Sequence, residues 1–317
     1  MSDFWLAPLH GITVYTFRNC LFRHTHGIKT AVTPFFPIQE KTKLNVRKHA
    51  DFRIENNLSD IEIIPQLIGS NPDHFVDTVN ALNAEFGYTR FNWNVGCPMK
   101  QIVRKRRGCG LMPYPQMVDD VVNAVTSKTP FSLSVKMRIG LNSPSESIVL
   151  LDRLNAYPLD FVVIHPRLGV QQYDGLPDMK AFSECLNATR HKVIYSGDIQ
   201  SVDDFIGLKK LFPQVWAWML GRGILANPFL AEQIERAEAV LPLQPLSELK
   251  ERFAAFYADL LDSMLAVCGE HRVMANMKEL WHYFARFFSL SAGELQNLLR
   301  ITDFKEFEDK TKQICEK

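Results

Sequence analysis

One cysteine in this chain stands where a thiol can do chemistry. It lies in Asn94-Val95-Gly96-Cys97-Pro98, just past an apolar run, in a turn shaped by glycine and proline. That placement turns the thiol toward a pocket. Nucleophile and general acid are the two roles open to it, and no oxyanion-hole pattern for acyl transfer accompanies it. A thiol with a reference pKa of about 8.5 stays mostly protonated at neutral pH, so it can protonate a carbon centre. Most cysteines are small inert core residues; the strand-end position and polar neighbours set Cys97 apart. The other five, Cys20, Cys109, Cys185, Cys268 and Cys315, are scattered, with no CxxC and no zinc-type Cys/His spacing. No metal site is expected, and a reduced, cytoplasmic setting is the default.

Two further groups share the look of a pocket wall. Lys136 and Arg138 are two apart in an apolar run, hence on one face of a strand. A buried lysine needs an anionic partner. A flavin fits, because a lysine at the N1/O2 edge stabilises the charge of the reduced ring; a core carboxylate is the plainer alternative. Gln66 is placed to hydrogen-bond the same ring. His165 and Arg167 are again two apart at a strand end and are followed by Tyr173. Ser196-Gly197-Asp198 and Gly221-Arg222-Gly223 are two glycine turns after apolar runs. Each lets backbone N–H groups approach a ligand, the second leads into a helix start, and Arg222 can grip a phosphate bidentately.

Basic residues cluster around these positions. Lys100, Arg104, Lys105, Arg106 and Arg107 follow Cys97 with no acidic residue between them, and Lys41, Lys43, Arg47 and Lys48 form a second group. The whole chain is nearly neutral, with 36 Lys+Arg against 35 Asp+Glu in 317 residues. Bulk charge therefore argues for no nucleic-acid partner, but basic loops around a pocket suggest a polyanionic substrate. At 46% hydrophobic residues the composition is globular and excludes disordered or fibrous structure. The N-terminal MSDFWLAPLHG has no secretory-leader pattern, and no run reaches the roughly 18 apolar residues of a membrane span.

The elements that must position these residues are strands alternating with helices. Strands are expected at Phe4–Leu9, Ala31–Phe35, Ile61–Leu67, Arg90–Asn94, Leu133–Arg138, Phe161–His165, Val193–Ser196 and Ala217–Gly221. One helix opens at Asn71-Pro72, buries Phe75, Val79, Leu82 and Phe86, and stops at Gly87. Another takes Ser201 as N-cap with Asp204 three residues on. Eight strands in this rhythm predict an α/β fold, a (β/α)8 TIM barrel; a doubly wound open sheet competes, but no GxGxxG follows the first strand. In a barrel, functional residues gather at the C-terminal strand ends, and Asn94, Cys97, Lys136, Arg138, His165, Arg167, Asp198 and Arg222 all fall there. After residue 240 only helices are expected. Ser247 is expected to cap the first of them and Gly269 to end it; the second shows Lys278, His282 and Arg286 on one face. The division is a barrel domain at 1–240 and a small all-helical domain at 241–317.

These phrases match one family together. LAPLHGIT, QLIGSNP, NWNVGCPMKQIVRKRRGCGLM, SVKMRIG, VVIHPRLGVQQYDG, YSGDI and MLGRGILANPFL stand in the order found in the tRNA-dihydrouridine synthases, which the chain resembles over nearly its whole length. The resemblance implies an FMN-containing barrel that reduces particular tRNA uridines to dihydrouridine with NADPH. It implies hydride transfer from the reduced flavin to C6 of uracil and protonation of C5 by Cys97. It also implies FMN contacts at Pro8, Leu9, His10, Gln66, Lys136 and His165, with the phosphate at Ser196, Gly197, Asp198, Gly221 and Arg222. Asn94 and Arg167 would face flavin or uracil. Lys100 and Arg104 would meet the tRNA near the pocket, and Lys278 and Arg286 would hold its body through phosphates. No membrane and no second copy of the chain are expected. The sequence departs from the family's phrases at Leu9, Thr33-Pro34, Asn92, Leu168 and Ser196, which bears on substrate contacts and rate. Two other readings compete: a flavin barrel of the dihydroorotate dehydrogenase type acting on a free pyrimidine, and a tRNA-binding flavoprotein with weakened catalysis. The basic loops and helical tail argue against the first, and Cys97 against the second.

Overall fold

The computed structural model describes residues 1–40, 45–46, 49–58 and 60–316; the basic positions Lys41, Lys43, Arg47 and Lys48 lie outside the described residues. Among the described residues ten short parallel strands form one sheet. They are β1 Phe4–Leu6, β2 Ile28–Val32, β3 Phe36–Pro37, β4 Glu62–Ile64, β5 Gln66–Ile68, β6 Arg90–Val95, β7 Ser132–Arg138, β8 Val162–His165, β9 Val193–Tyr195 and β10 Ala217–Leu220. The order β3-β5-β6-β7-β8-β9-β10-β1-β2-β4 is that of a closed barrel, because β4 and β5 are one chain segment broken only at Pro65. The proline removes a donor from the ladder but its carbonyl still accepts from Asn92 N at 2.9 Å. The second expected strand, Ala31–Phe35, is likewise two pieces. β2 starts earlier, just after Gly27 in a left-handed conformation (φ 89), and the chain re-pairs as β3 beyond Pro34. The break is bridged where Thr33 Oγ1 accepts from Gln66 N at 3.0 Å.

Residues two apart on a strand share a face, and two opposite environments result. Trp5, Val32, Ile64, Phe161, Val163, Ile194, Ala217 and Met219 form a buried cluster of their own that fills the barrel. Further along the same strands the inward positions become polar: Gln66, Asn92, Asn94, Ser134, Lys136 and His165. Asn94 pairs with Lys136 across β6 and β7, and Arg138 with His165 across β7 and β8. The apolar filling therefore ends at the layer where the polar residues begin.

Helices α1 Tyr15–His24, α2 Pro72–Phe86, α3 Lys100–Val103, α4 Pro115–Lys128, α5 Ser145–Leu154, α6 Met179–Ala188, α7 Val202–Leu211, α8 Arg222–Ala226 and α9 Leu230–Glu238 surround the sheet. The caps at Asn71, Gly87 and Ser201 are as the sequence predicts: Asn71 accepts from His74 N, Gly87 is left-handed at φ 76, and Ser201 with Asp204 makes a capping box. Four more helices follow: α10 Leu246–Leu265, α11 Glu270–Phe287, α12 Ala292–Arg300 and α13 Phe304–Cys315. Here two expectations are corrected. Pro245, whose fixed φ suits a helix entry, precedes α10 and leaves Ser247 inside the first turn. Gly269 stands at the start of α11, α10 having already ended at Leu265. Among the described residues no helix is long and apolar enough to cross a membrane.

These last helices are fastened to the barrel by both apolar and charged contacts. Phe17 of α1 meets Phe256 edge-on at 6.1 Å, and Phe229 meets Phe287 at 6.1 Å. Arg23 grips Asp259 with two hydrogen bonds of 2.9 Å, and Arg252 pairs with the buried Glu232. Phe253 is fully buried at the centre, with the rings of Phe256, Tyr257, Phe284, Phe287 and Phe288 around it. Phe253→Ala is expected to cost about 3–5 kcal/mol in urea unfolding. A loss below about 1 kcal/mol would contradict this account of the packing.

Candidate active site at the carboxyl ends of the strands

A cleft opens where the strands end. Its wide chamber, about 410 Å³, is lined by Pro8, Leu9, His10, Phe35, Asn94, Cys97, Lys100, Lys136, Arg138, His165 and Tyr173, among others. A narrow chamber of about 80 Å³ shares Pro8, Leu9, Lys136, His165 and Tyr173 and adds Ser196, Gly197, Asp198, Gly221 and Arg222. The two chambers share these five residues as a common wall. Residues predicted separately from six strand ends are thus brought together.

Cys97 is held from two sides. Asn94 Oδ1 accepts from Gly96 N at 3.1 Å and from Cys97 N at 2.9 Å, which fixes the turn after β6. From the other side Cys109 N donates to the Cys97 carbonyl at 3.1 Å. Gly108 makes this approach possible: at φ 55 it is left-handed, and a Cβ there would lie 2.5 Å from the Cys97 oxygen. Burial pushes the Cys97 thiol up, while the Met99 backbone, Arg138 and Lys136 pull it partly back. The net direction is upward, so the group is a neutral thiol at physiological pH.

Behind Cys97 runs a buried chain of amides. Asn94 Nδ2 donates to Gln66 Oε1 (2.8 Å), Gln66 Nε2 to Asn92 Oδ1 (2.7 Å), Asn92 Nδ2 to Ser134 Oγ (2.9 Å), and Ser134 Oγ to the Phe91 carbonyl (3.0 Å). Gln66 is fully buried, both ends of its amide are engaged, and it lines neither chamber; it meets the cleft through Asn94. The departure at Asn92 has a physical reason in this chain: an amide both accepts from Gln66 and donates to Ser134, whereas an ionised carboxylate only accepts.

Positive charge dominates the cleft. Among the described residues Lys136 Nζ makes no hydrogen bond or ion pair, and it faces both chambers. Burial first, and Arg138 second, bring its pKa down to about 7. Arg138 donates to the Gly96 carbonyl at 3.0 Å and to the Leu168 carbonyl at 2.8 Å. Leu168 thus serves through its backbone. Arg167, only 2% exposed, pairs with Asp198, donates to the Gly175 carbonyl at 2.7 Å and lies 3.3 Å from His165 Nε2. It lines neither chamber and ties the loop after β8 to the loop after β9. Arg167 bonds both oxygens of Asp198, and Arg222 shares Oδ1 with it. Burial alone would raise Asp198, but the Arg167 and Arg222 guanidiniums hold it below the usual carboxylate range. Burial and the surrounding cations hold His165 well below its ordinary value, hence neutral.

The donor set fits a phosphorylated flavin. An unpartnered, half-buried lysine faces the wide chamber, while the narrow one is closed by backbone loops that only glycine permits. A Cβ at Gly223 would lie 2.0 Å from the Ile199 carbonyl. Among the described residues no group of three or more His, Cys, Asp or Glu could hold a metal ion.

A family model described as "Dihydrouridine synthase (Dus)" matches residues 5–313. The chain belongs to the dihydrouridine synthase family. It is accordingly an enzyme of a flavin-dependent oxidoreductase family. Similar proteins include a "tRNA-dihydrouridine(16) synthase" of Pseudomonas putida, 28% identical over 76% of each chain. Another of that name, from Cupriavidus necator, is 26% identical over 95% of this chain and 93% of its own. A "tRNA-dihydrouridine synthase B" of Pasteurella multocida is 26% identical over 73% of this chain and 68% of its own.

The remaining candidates divide between the cleft and the helical packing. Lys100 opens α3 at the rim of the wide chamber, and Arg104 is exposed just beyond that helix. Arg286 reaches from α11 to Gln200 Oε1 at 2.7 Å, and Gln200 lines the narrow chamber. Lys278 is half-buried; its ammonium donates to the Ile301 carbonyl and lies 5.9 Å from the Phe307 ring centre, inside the helical packing. Sequence reasoning did not single out Phe35, Met99, Gln101 or Gln172, which also line the wide chamber. Only the position of Phe35 after Pro34 at a strand end hinted at its place.

The neutral state of His165 has a consequence for stability. Its folded pKa lies below 6.5, so the unfolded chain takes up the proton first. Its contribution is fully present above pH 6.5 and is lost as pH falls toward the folded value. His165→Asn is therefore expected to flatten the fall in urea midpoint between pH 6.5 and 5. Parallel pH profiles for the two proteins would contradict the burial of a neutral imidazole.

Proposed function

We propose that the protein reduces uridine in tRNA to 5,6-dihydrouridine with FMN and NADPH, using Cys97 as the proton donor. One observation carries the reading: the Cys97 thiol and the unpartnered Lys136 line one chamber, which shares a wall with a narrow one lined by two glycine loops and Arg222. Pro8, Leu9, His10, Lys136 and His165 would hold the ring system. Ser196, Gly197, Asp198, Gly221 and Arg222 would hold the phosphate, and Gln66 would act through Asn94. When bound, the reduced flavin supplies the hydride for C6 of uracil, with NADPH as the source of electrons.

This chain's own residues do the rest. Cys97 keeps its proton until the carbon it faces gains negative character, then releases it to C5. The thiolate left behind is stabilised by Lys136 and Arg138, which favour that charge. Asn94 and Arg138 hold the turn so that Sγ stays aimed into the chamber. The uracil must leave its stack to arrive there. Lys100 and Arg104 are placed at the rim for backbone phosphates, and Arg286 beside the narrow chamber for the tRNA body. Residues 241–317 act in this reading as the tRNA-holding domain of a monomeric cytoplasmic enzyme, with Lys278 securing the helices. The relatives that match almost end to end are named for position 16, which is the first position to map.

Unmodified tRNA incubated with the protein and NADPH is expected to gain dihydrouridine at defined positions; none in any tRNA would contradict the reading. Cys97→Ala is expected to keep its flavin and lose at least about 100-fold in turnover. Full activity in that variant would remove the proton-donor role. Lys136→Met is expected to lower flavin occupancy, and unchanged occupancy would count against its place beside the ring. Because the thiol must be protonated and burial pushes its pKa up, the alkaline fall in rate is expected at a higher pH than an ordinary free thiol would give.

A further inference from the structure

We propose that the paired rings of His10 and Phe35 form a stacking platform for the nucleobase next to the uridine that enters the cleft. The proposal rests on the tRNA reading above and adds a specificity-determining element to it. The two rings lie parallel, 4.5 Å between centroids and 8° between planes. Most other ring pairs in the chain meet edge-on, as packed cores favour. The pair is also uneven: Phe35 is half-buried and His10 is exposed. One face of the imidazole is therefore covered by Phe35 and the other is open.

A histidine with a structural task is usually hydrogen-bonded or buried. Among the described residues the His10 ring makes no hydrogen bond. Its fixed partner is a hydrocarbon ring, which gives it a set plane and leaves its outer face for something flat. Both rings line the wide chamber together with Cys97, and the same chamber is edged by Met99, Lys100 and Gln101 from the basic segment. A flat apolar face and a cation at one mouth match one chemistry, a base on the first and its phosphate near the second.

The reaction creates the need. A uridine that leaves its stack exposes the face of its neighbour. A ring at the mouth that takes over that face lowers the cost of unstacking and selects the sequence around the target. Base–aromatic stacking tolerates any base but favours large ones, so the platform would tune rather than dictate the flanking nucleotide.

The test separates stacking from packing and from charge. With unmodified tRNA, His10→Ala and Phe35→Ala are expected to raise both the Kd and the KM for tRNA about tenfold. For Phe35→Ala, turnover, bound flavin and the KM for NADPH should stay within about twofold. His10→Tyr, which restores a flat ring without the imidazole, is expected to recover the wild-type Kd. Three results would overturn the platform: an unchanged tRNA Kd and KM in His10→Ala, a His10→Tyr variant no better than alanine, or an equal rise in the KM for NADPH, which would move the ring pair to the nicotinamide cofactor. If the wild-type protein neither bound nor modified tRNA, the functional reading would fall and the platform with it. If it modified tRNA while His10→Ala bound tRNA normally, the platform alone would fall.

Discussion

The site is governed by positive charge that the protein does not itself balance. Lys136, Arg138 and Arg222 line the cleft, Arg167 stands just behind it, and Asp198 is the one carboxylate among the described lining residues. Asp198 is shared between two of the arginines, which leaves Lys136 without a counter-ion. Desolvated charge of one sign is costly, and the titration directions record that cost: Lys136 falls to about 7 and His165 is held neutral. An anion in the cleft reverses the penalty. The same field is what a thiol needs after it has given up its proton.

The second constraint is mechanical. The amide chain from Ser134 through Asn92, Gln66 and Asn94 to the Cys97 backbone crosses three neighbouring strands inside the barrel. Each amide is satisfied on both sides, so the turn bearing the thiol is registered to the sheet rather than to the loop that follows. Arg138 adds a tie to the Gly96 carbonyl, and Gly108 lets the returning chain close from behind. Positioning and charge meet in this one layer, directly above the apolar filling of Trp5, Phe161 and their neighbours.

Much of this was readable in the residue order. Strand periodicity and the glycine and proline punctuation located the barrel. Polar residues at the ends of apolar runs located the cleft, because a strand end is the place where side chains of six different strands converge. What could not be read is which polar groups face the cleft and which brace it. Gln66 and Arg167 have the types of ligand residues, yet their partners are protein atoms on neighbouring strands and loops, and partner choice depends on register. Lys278, at helical spacing with Arg286, reads as a contact to tRNA phosphates, but the carbonyl of Ile301 at the end of α12 captures its ammonium. Ser247 and Gly269 misled because Pro245 opens α10 and Ala266 closes it, which leaves Gly269 to begin α11.

The central claim is that the uncompensated cations of the cleft are matched to a phosphorylated flavin. Calorimetric titration of cofactor-stripped protein with FMN and with riboflavin tests it most directly. The account predicts tight one-to-one binding of FMN and binding of riboflavin weaker by at least about 100-fold, since charge-assisted contacts to the phosphate are lost. Equal affinity for the two, or no binding of FMN, would contradict it.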